Sequence, residues 1–301
     1  MSEPSLLALV ESAAQRMEAA GLFFGHGTDN AFDEACWMAS HCLNLPPDFP
    51  PEAFDQSVSP EDQRTLEELL AQRLTTRKPL AYLIGEAWFA GLRFEVNESV
   101  LVPRSPLAEL INESFEPWLS EYQLQRALDV GTGSGCIAIA LATRFPDLRV
   151  DAIDISAPAL AVARRNVQAH GLTDRVFTRQ SDLLEAVSGQ RYELILANPP
   201  YVPEASMKTL PPEIAWEPEL GLVAGVDGLD LVRRLIVQAA QCLQPQGILI
   251  CEVGEAAEAV AAWLSDIELT WLDFAHGGDG VFLLDCEGCR KVAGLQGRQS
   301  R

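Results

Sequence analysis

The chain has 301 residues, 48% of them hydrophobic, and a formal charge of 22 − 43 = −21. That length and apolar share suffice for one large or two smaller packed domains. The acidic surface repels a phosphate backbone, argues against tight unaided nucleic-acid binding, and favours a basic protein partner.

Residues 5–20 read as a helix with Leu6, Leu9 and Val10 on one face and a stop at Gly21. The glycines and Asn30 of Phe24-Gly25-His26-Gly27-Thr28-Asp29-Asn30 mark a loop. Asp29 or Asn30 would cap the next helix, 31–44, which Pro46-Pro47 ends. Ser59-Pro60-Glu61-Asp62 predicts a third helix running to Arg77, with a capping serine and proline at its first position. Residues 1–85 are therefore expected as a helical, substrate-binding domain. Residues 86–105 change character. Trp88-Phe89 and Leu92–Val96 alternate around Gly91 as a β-hairpin linker.

From Arg126 the pattern becomes β/α. Strands are expected at 126–130, 149–153, 175–180, 192–197, 246–252, 268–274 and 280–285. Helices are expected at 135–145, 157–169, 228–243 and 255–264. This alternation predicts a doubly wound, mostly parallel α/β sheet over 106–286. The last two strands would form an antiparallel edge hairpin, and 287–301 a frayed tail. No apolar run approaches the ~20 residues that span a bilayer. Met1-Ser2-Glu3-Pro4 lacks a secretory leader's basic start. Seven cysteines, an odd number scattered through apolar segments, fit reduced thiols in a cytoplasm. Cys286-x-x-Cys289 is a lone pair with His276 near it in sequence, too few ligands for structural zinc, so no metal is expected.

The chemistry gathers at strand ends. Asp129 precedes Gly131-Thr132-Gly133-Ser134-Gly135, a turn that lets backbone approach a ligand closely. A dinucleotide loop wants glycine or alanine at its sixth position, where this chain has Cys136, which disfavours a nicotinamide dehydrogenase. Three alternating glycines after an acid fit S-adenosylmethionine, which has no pyrophosphate to cradle. Asp154 ends the next strand at the distance expected of a ribose-binding carboxylate. Asp182 ends the third and could accept from the adenine amino group, with Leu183 lining the ring. Asp154 and Asp182 could also be helix caps, with adenine contact the favoured reading for Asp182. The fourth strand runs into Asn198-Pro199-Pro200-Tyr201. Two prolines give a stiff loop with carbonyls and no competing N–H. Asn198 adds an amide and Tyr201 a flat face. Such a loop suits a planar NH2 group, or simply ends a strand.

Together, the glycine loop, Asp154 and Asn198-Pro199-Pro200-Tyr201 resemble class I methyltransferases acting on planar nitrogens. With the helical N-terminal segment and hairpin, the chain is similar to the HemK-like glutamine methyltransferases over most of 5–285. Pro103-Arg104 with Glu109, Glu217-Pro218-x-Leu220 and Asp227-Gly228-Leu229 match that group as well. The resemblance implies a Rossmann-like, seven-stranded methyltransferase fold and a glutamine side chain as acceptor. It implies cofactor binding by Asp129, Gly131, Thr132, Gly133, Gly135, Asp154, Asp182, Leu183 and Asn198, and catalysis by Asn198, Pro199 and Tyr201, with Pro200 also at the substrate. In this group the release-factor branch usually carries an acid two positions after Pro-Arg. This chain has Pro106 there, and its Phe24–Asn30 loop resembles the branch that modifies the third large-subunit ribosomal protein. Rival readings are a release-factor enzyme, an adenine-amino methyltransferase on DNA or RNA, and a non-catalytic cofactor-binding scaffold.

Overall fold

The computed structural model describes residues 3–119, 124–275 and 277–299. They form two units. One comprises the chain up to Ala87 with Val96–Glu98 and Pro211–Trp216. The other comprises Trp88–Glu95, Ser99–Leu210 and everything from Glu217 on.

The first unit is helical: α1 (Leu6–Ala19), α2 (Ala31–Leu43), α3 (Pro60–Thr76) and α4 (Leu80–Ile84). Each long helix starts where a side-chain oxygen relieves orphan N–H groups. The Asn30 side chain accepts from the Asp33 N–H at 2.9 Å, and Ser59 accepts from Asp62 at 3.2 Å. Helix α2 stops before the prolines, on Asn44 at φ 53°. Leu6, Val10, Met17, Met38, Leu66, Leu70 and Leu80 fill the core, each contributing about 1.5–3 kcal/mol when fully buried.

An ionic cluster lies inside this core. The Arg73 Nε donates to Glu34 Oε1 at 2.7 Å and its Nη2 to the Phe23 carbonyl at 3.0 Å. Glu213 Oε1 accepts from the Phe23 N–H at 3.0 Å and from Arg77 at 2.7 Å. Burial pushes the Glu34 carboxyl up, and Arg73 opposes it. This cluster, with Lys78 over the Trp216 ring at 5.2 Å, explains why Pro211–Trp216 packs with the helices although its sequence neighbours belong to the α/β domain. The Phe24–Asn30 loop is packed too: His26 is buried and meets the Phe23 ring edge at 5.8 Å.

Strands β1 (Glu86–Phe89) and β2 (Leu92–Glu95) pair as the expected hairpin. Ala90 and Gly91 both take positive φ, 49° and 75°, as a tight two-residue turn requires. A short helix that the sequence pattern did not reveal, α5 (Leu107–Asn112), follows.

The larger sheet uses β3 (Arg126–Val130), β4 (Arg149–Asp154), β5 (Val176–Gln180), β6 (Tyr192–Ala197), β7 (Leu243–Glu252), β8 (Thr270–Leu272) and β9 (Val281–Asp285). Its order among the described residues is β5-β4-β3-β6-β7-β9-β8. The first five run parallel, and β9 and β8 add antiparallel ladders. Helices α6 (Cys136–Arg144), α7 (Ala157–Ala169), α8 (Asp230–Cys242) and α9 (Ala257–Trp263) complete the alternation. The chain moves outward from β3 through β4 to β5, then returns to place β6 on the other side of β3. That reversal opens a crevice at the carboxyl ends of β3 and β6, where open α/β sheets bind ligands.

The expected tail differs. Cys286–Gln299 forms α10, because Cys286, Cys289 and Val292 supply an apolar stripe that buries in the core beside α8 and β7. Both cysteines are free thiols; His276 lies outside the described residues.

Candidate active site

The glycine loop leaves β3 with Gly131, Gly133 and Gly135 at φ 74°, 54° and 83°, a region costly for residues with a Cβ. The Gly131 and Thr132 N–H groups donate to the Ile153 carbonyl, both at 2.9 Å, which pins the loop over the end of β4. Gly135 also faces α7: a Cβ there would stand 3.3 Å from the Ala163 Cβ.

Asp129 lies beneath this loop and is fully buried. Its Oδ2 accepts from the Thr132 hydroxyl at 2.5 Å and the Ala138 N–H at 3.2 Å, whereas Oδ1 has no hydrogen-bond partner among the described residues. Burial, eased by those two donors and worsened by Asp154, pushes its carboxyl up to about 7.

Asp154 accepts from the Gly133 N–H at 3.0 Å and the Ser156 N–H at 2.8 Å. Burial raises its pKa against those donors. Asp182 is more open and accepts from Arg234 at 2.8 Å. Asp182 lines a cleft of about 420 Å³ together with Ile155, Gln180, Ser181, Glu185 and Ala186. Leu183 takes φ 46° and packs into the core; the apolar lining comes from Ile155 and Ala186. Ile155 had a sequence signal: an isoleucine directly after a strand-end acid, left 49% exposed here, offers an apolar face beside a polar anchor.

Asn198-Pro199-Pro200-Tyr201 leaves β6 on the other side of β3. A Cβ on Gly131 would stand 3.7 Å from the Asn198 backbone carbonyl oxygen, so the two loops adjoin at the crevice. After Tyr201, Val202 donates to the Leu222 carbonyl at 2.8 Å and Ala224 donates back to Val202 at 3.0 Å, which anchors the loop's exit. Gly228 abuts it: a Cβ there would fall 2.2 Å from the Tyr201 carbonyl oxygen.

Four residues join this site that the motifs alone did not reveal in their roles. Glu252 ends β7 and is buried. It accepts from the Ser105 hydroxyl at 2.5 Å and from the Asn198 side chain and Tyr201 hydroxyl. Arg104 pairs with Glu217 through two hydrogen bonds of 2.5 Å. Thus Pro103-Arg104 and Glu217-Pro218, far apart in sequence, meet. Burial, with the Glu252 charge beside it, pushes the Tyr201 phenol above its ordinary range, so it stays protonated. A carboxylate at the end of the fifth parallel strand was the available signal for Glu252.

Residues 113–214 match the family model described as Methyltransferase small domain, and 9–85 the PrmC N-terminal domain. The chain is 46% identical over 280 residues to the ribosomal protein uL3 glutamine methyltransferase of Bordetella pertussis, covering 93% of this chain and 94% of the relative. It is 46% identical over 284 residues to the protein of the same name from Xanthomonas campestris pv. campestris, covering 94% and 91%. Among solved structures, the hMettl16 catalytic domain in complex with MAT2A 3'UTR hairpin 1 shares the fold. Its TM-score is 0.51 at 18% identity, over 81% of this chain and 88% of that one.

Proposed function

The chain belongs to the HemK-like protein-glutamine methyltransferases, in the branch of the uL3 enzymes, and from that premise we propose that it methylates the side-chain amide nitrogen of a glutamine in ribosomal protein uL3. The observation that carries this reading is the adjacency of two loops at the sheet's reversal point, the glycine loop after β3 and Asn198-Pro199-Pro200-Tyr201 after β6.

The residues present fit S-adenosylmethionine. Asp182 lines a cleft with an apolar face at Ile155, Asp154 precedes that residue at the end of β4, and Asp129 keeps an unpartnered buried oxygen. Gly131, Thr132, Gly133 and Gly135 would carry the cofactor's amino-acid arm, Asp154 its ribose and Asp182 its adenine, with Ile155 beside the ring. When bound, the cofactor supplies an electrophilic methyl group on a sulfonium sulfur.

The net reaction forms one N–CH3 bond as one S–CH3 bond breaks, leaves a neutral thioether with that electron pair, and releases one amide proton. An amide nitrogen is a weak nucleophile because its lone pair is delocalised into the carbonyl. In this reading the Asn198 side-chain oxygen and the Pro199 carbonyl accept the two amide hydrogens and free that lone pair. Pro199 and Pro200 have no N–H to compete. The Tyr201 ring packs on the amide plane and excludes water. Its hydroxyl, given to Glu252, donates rather than serving as a base. The rate then comes from orientation and from hydrogen bonds that strengthen as positive charge develops on nitrogen. The proton leaves afterwards to water.

A charge of −21 supports a free basic protein, or an early assembly intermediate, as the form recognised rather than RNA-coated ribosomes, while the free thiols support a cytoplasmic site of action. Labelled S-adenosylmethionine incubated with separate pools of uL3, release factor and nucleic acid tests the reading. Label is expected in uL3, and faster in the free protein than in assembled subunits. Label confined to release factor or nucleic acid would overturn it.

A further inference from the structure

Glu252 is a buried carboxylate that the mechanism above uses only as the acceptor of the Tyr201 hydroxyl. It accepts from Ser105 at 2.5 Å, from the Asn198 side-chain amide and from the Tyr201 hydroxyl. An ionised carboxylate has no proton to give, so every partner has to present a donor. Asn198 can do that only through Nδ2, which leaves its Oδ1 as the outward end. The two ends of an asparagine amide have nearly the same shape, and nothing but partner polarity fixes which way round they sit. A flipped Asn198 would aim N–H groups at the substrate's own NH2, donor against donor.

The surroundings hold Glu252 in place. Val253 donates to the Gly280 carbonyl at 2.7 Å, which ties the end of β7 to the turn before β9. A Cβ on Gly254 would fall 2.7 Å from the Tyr201 Cε2, so the ring lies flush against this backbone. Ser105 follows Arg104, which Glu217 clamps. Glu252 therefore joins the segment before α5 to the loop after β6.

We propose that Glu252 is a positioning residue that fixes the polarity of Asn198 and the stance of Tyr201, so that the site takes a side chain offering two N–H donors. This deepens the glutamine reading and rests on it.

Protonation would reverse the logic, because a carboxylic acid donates and competes with the Asn198 amide. Burial pushes Glu252 up to about 7, while Ser105, Arg104, Tyr201 and Asn198 pull it down. Arg104 is the facing cation. Tyr201 and the Cys251 thiol are held neutral by burial, and Glu255 acts on Tyr201.

The test compares full-length wild type, Glu252→Gln, Asn198→Ala and the double variant, using free uL3 and labelled S-adenosylmethionine from pH 5.5 to 9. Wild type should lose kcat on the acidic side of a pKa near 7. Glu252→Gln should lower kcat at pH 8 by about 30–100-fold and flatten the acidic limb. KM for uL3 and cofactor affinity by calorimetry should stay within about threefold. The double variant should be no slower than Asn198→Ala, whose residual activity should lack the limb. Multiplying effects, or a limb that persists in Asn198→Ala, would overturn the proposal even where Glu252→Gln does not fold. Unlabelled uL3 with wild type would sink the glutamine reading instead. The side-chain NH2 resonances of Asn198 would then still decide the matter: protected in wild type and released in Glu252→Leu, which has no oxygen to accept them, supports Glu252, and no change refutes it.

Discussion

Arg104 and Glu217 form a two-bond ion pair, both contacts 2.5 Å, although 113 positions separate them. The Glu217 side chain is fully buried and that of Arg104 is 31% exposed. Glu217 also accepts from the Val102 N–H at 3.2 Å. Removing the cation leaves a buried carboxylate uncompensated, which costs about 3–5 kcal/mol. Arg104→Ala should therefore lower the denaturant midpoint, with kcat falling because Ser105 loses its anchor. A double change to Arg104→Met with Glu217→Leu should recover part of the stability, as paired apolar replacements do. Equilibrium urea unfolding reads both.

Asn198→Ala should remove most of the methyl transfer, about 100-fold or more in kcat, while cofactor affinity stays largely intact. Its backbone carbonyl, which adjoins Gly131, is unchanged by the substitution. Calorimetry beside a transfer assay separates the two quantities. Equal loss of both would count against the catalytic role.

Gly228→Ala should damage the site without touching a polar group. Gly228 sits at φ 76°, and a Cβ would fall 2.2 Å from the Tyr201 carbonyl oxygen. The strained backbone costs about 1–3 kcal/mol, and the Tyr201 loop has to shift. The expected signature is a fall in both melting temperature and kcat, while Gly171→Ala, at open space and φ 68°, lowers only the melting temperature.

Asp129→Asn should stabilise the cofactor-free protein at alkaline pH. The folded Asp129 pKa is raised from 3.8 to about 7, so the folded state holds a proton that the unfolded chain gives up. Between those values stability falls as pH rises, and the charged group destabilises fully above pH 7. Three pKa units correspond to about 4 kcal/mol as an upper bound. The variant should melt higher at pH 8, and the difference should vanish near pH 4. Thermal unfolding across pH reads this, and a constant difference would refute the buried-charge account. In the cofactor reading the same change weakens S-adenosylmethionine binding.

Glu213→Ala should loosen the helical unit. It leaves Arg77 and the Phe23 N–H without the oxygen they share and exposes an internal charge imbalance around Arg73, at a cost of about 3 kcal/mol. Hydrogen exchange should quicken at the amides of α2 and α3. Unchanged exchange would mean that the cluster is not what holds Pro211–Trp216.

The sheet was legible because β3, β4 and β6 are largely apolar runs with a polar residue at or beside their ends. That pattern arises from local chain geometry and strand burial. The caps at Asn30 and Ser59 and the glycine loop were legible for the same reason: each depends on atoms within a few residues. Two short helices, α4 and α5, were not, since five or six residues carry too little periodicity. Helix α10 was misjudged because its polar, glycine-bearing sequence is held by one stripe, Cys286, Cys289 and Val292, whose burial depends on what lies opposite.

The sequence by itself determined the fold class, the crevice at the end of β3, and the identity of Asn198-Pro199-Pro200-Tyr201 as a loop suited to a planar NH2. All of these follow from short-range periodicity and turn chemistry. Only the tertiary structure decided that Pro211–Trp216 packs with the helices through Glu213, that Arg104 meets Glu217, and that Glu252 receives Asn198 and Tyr201. Those pairings join residues tens of positions apart. A buried charge selects its partner by what else is buried beside it, and that is fixed only once the strands have found their order.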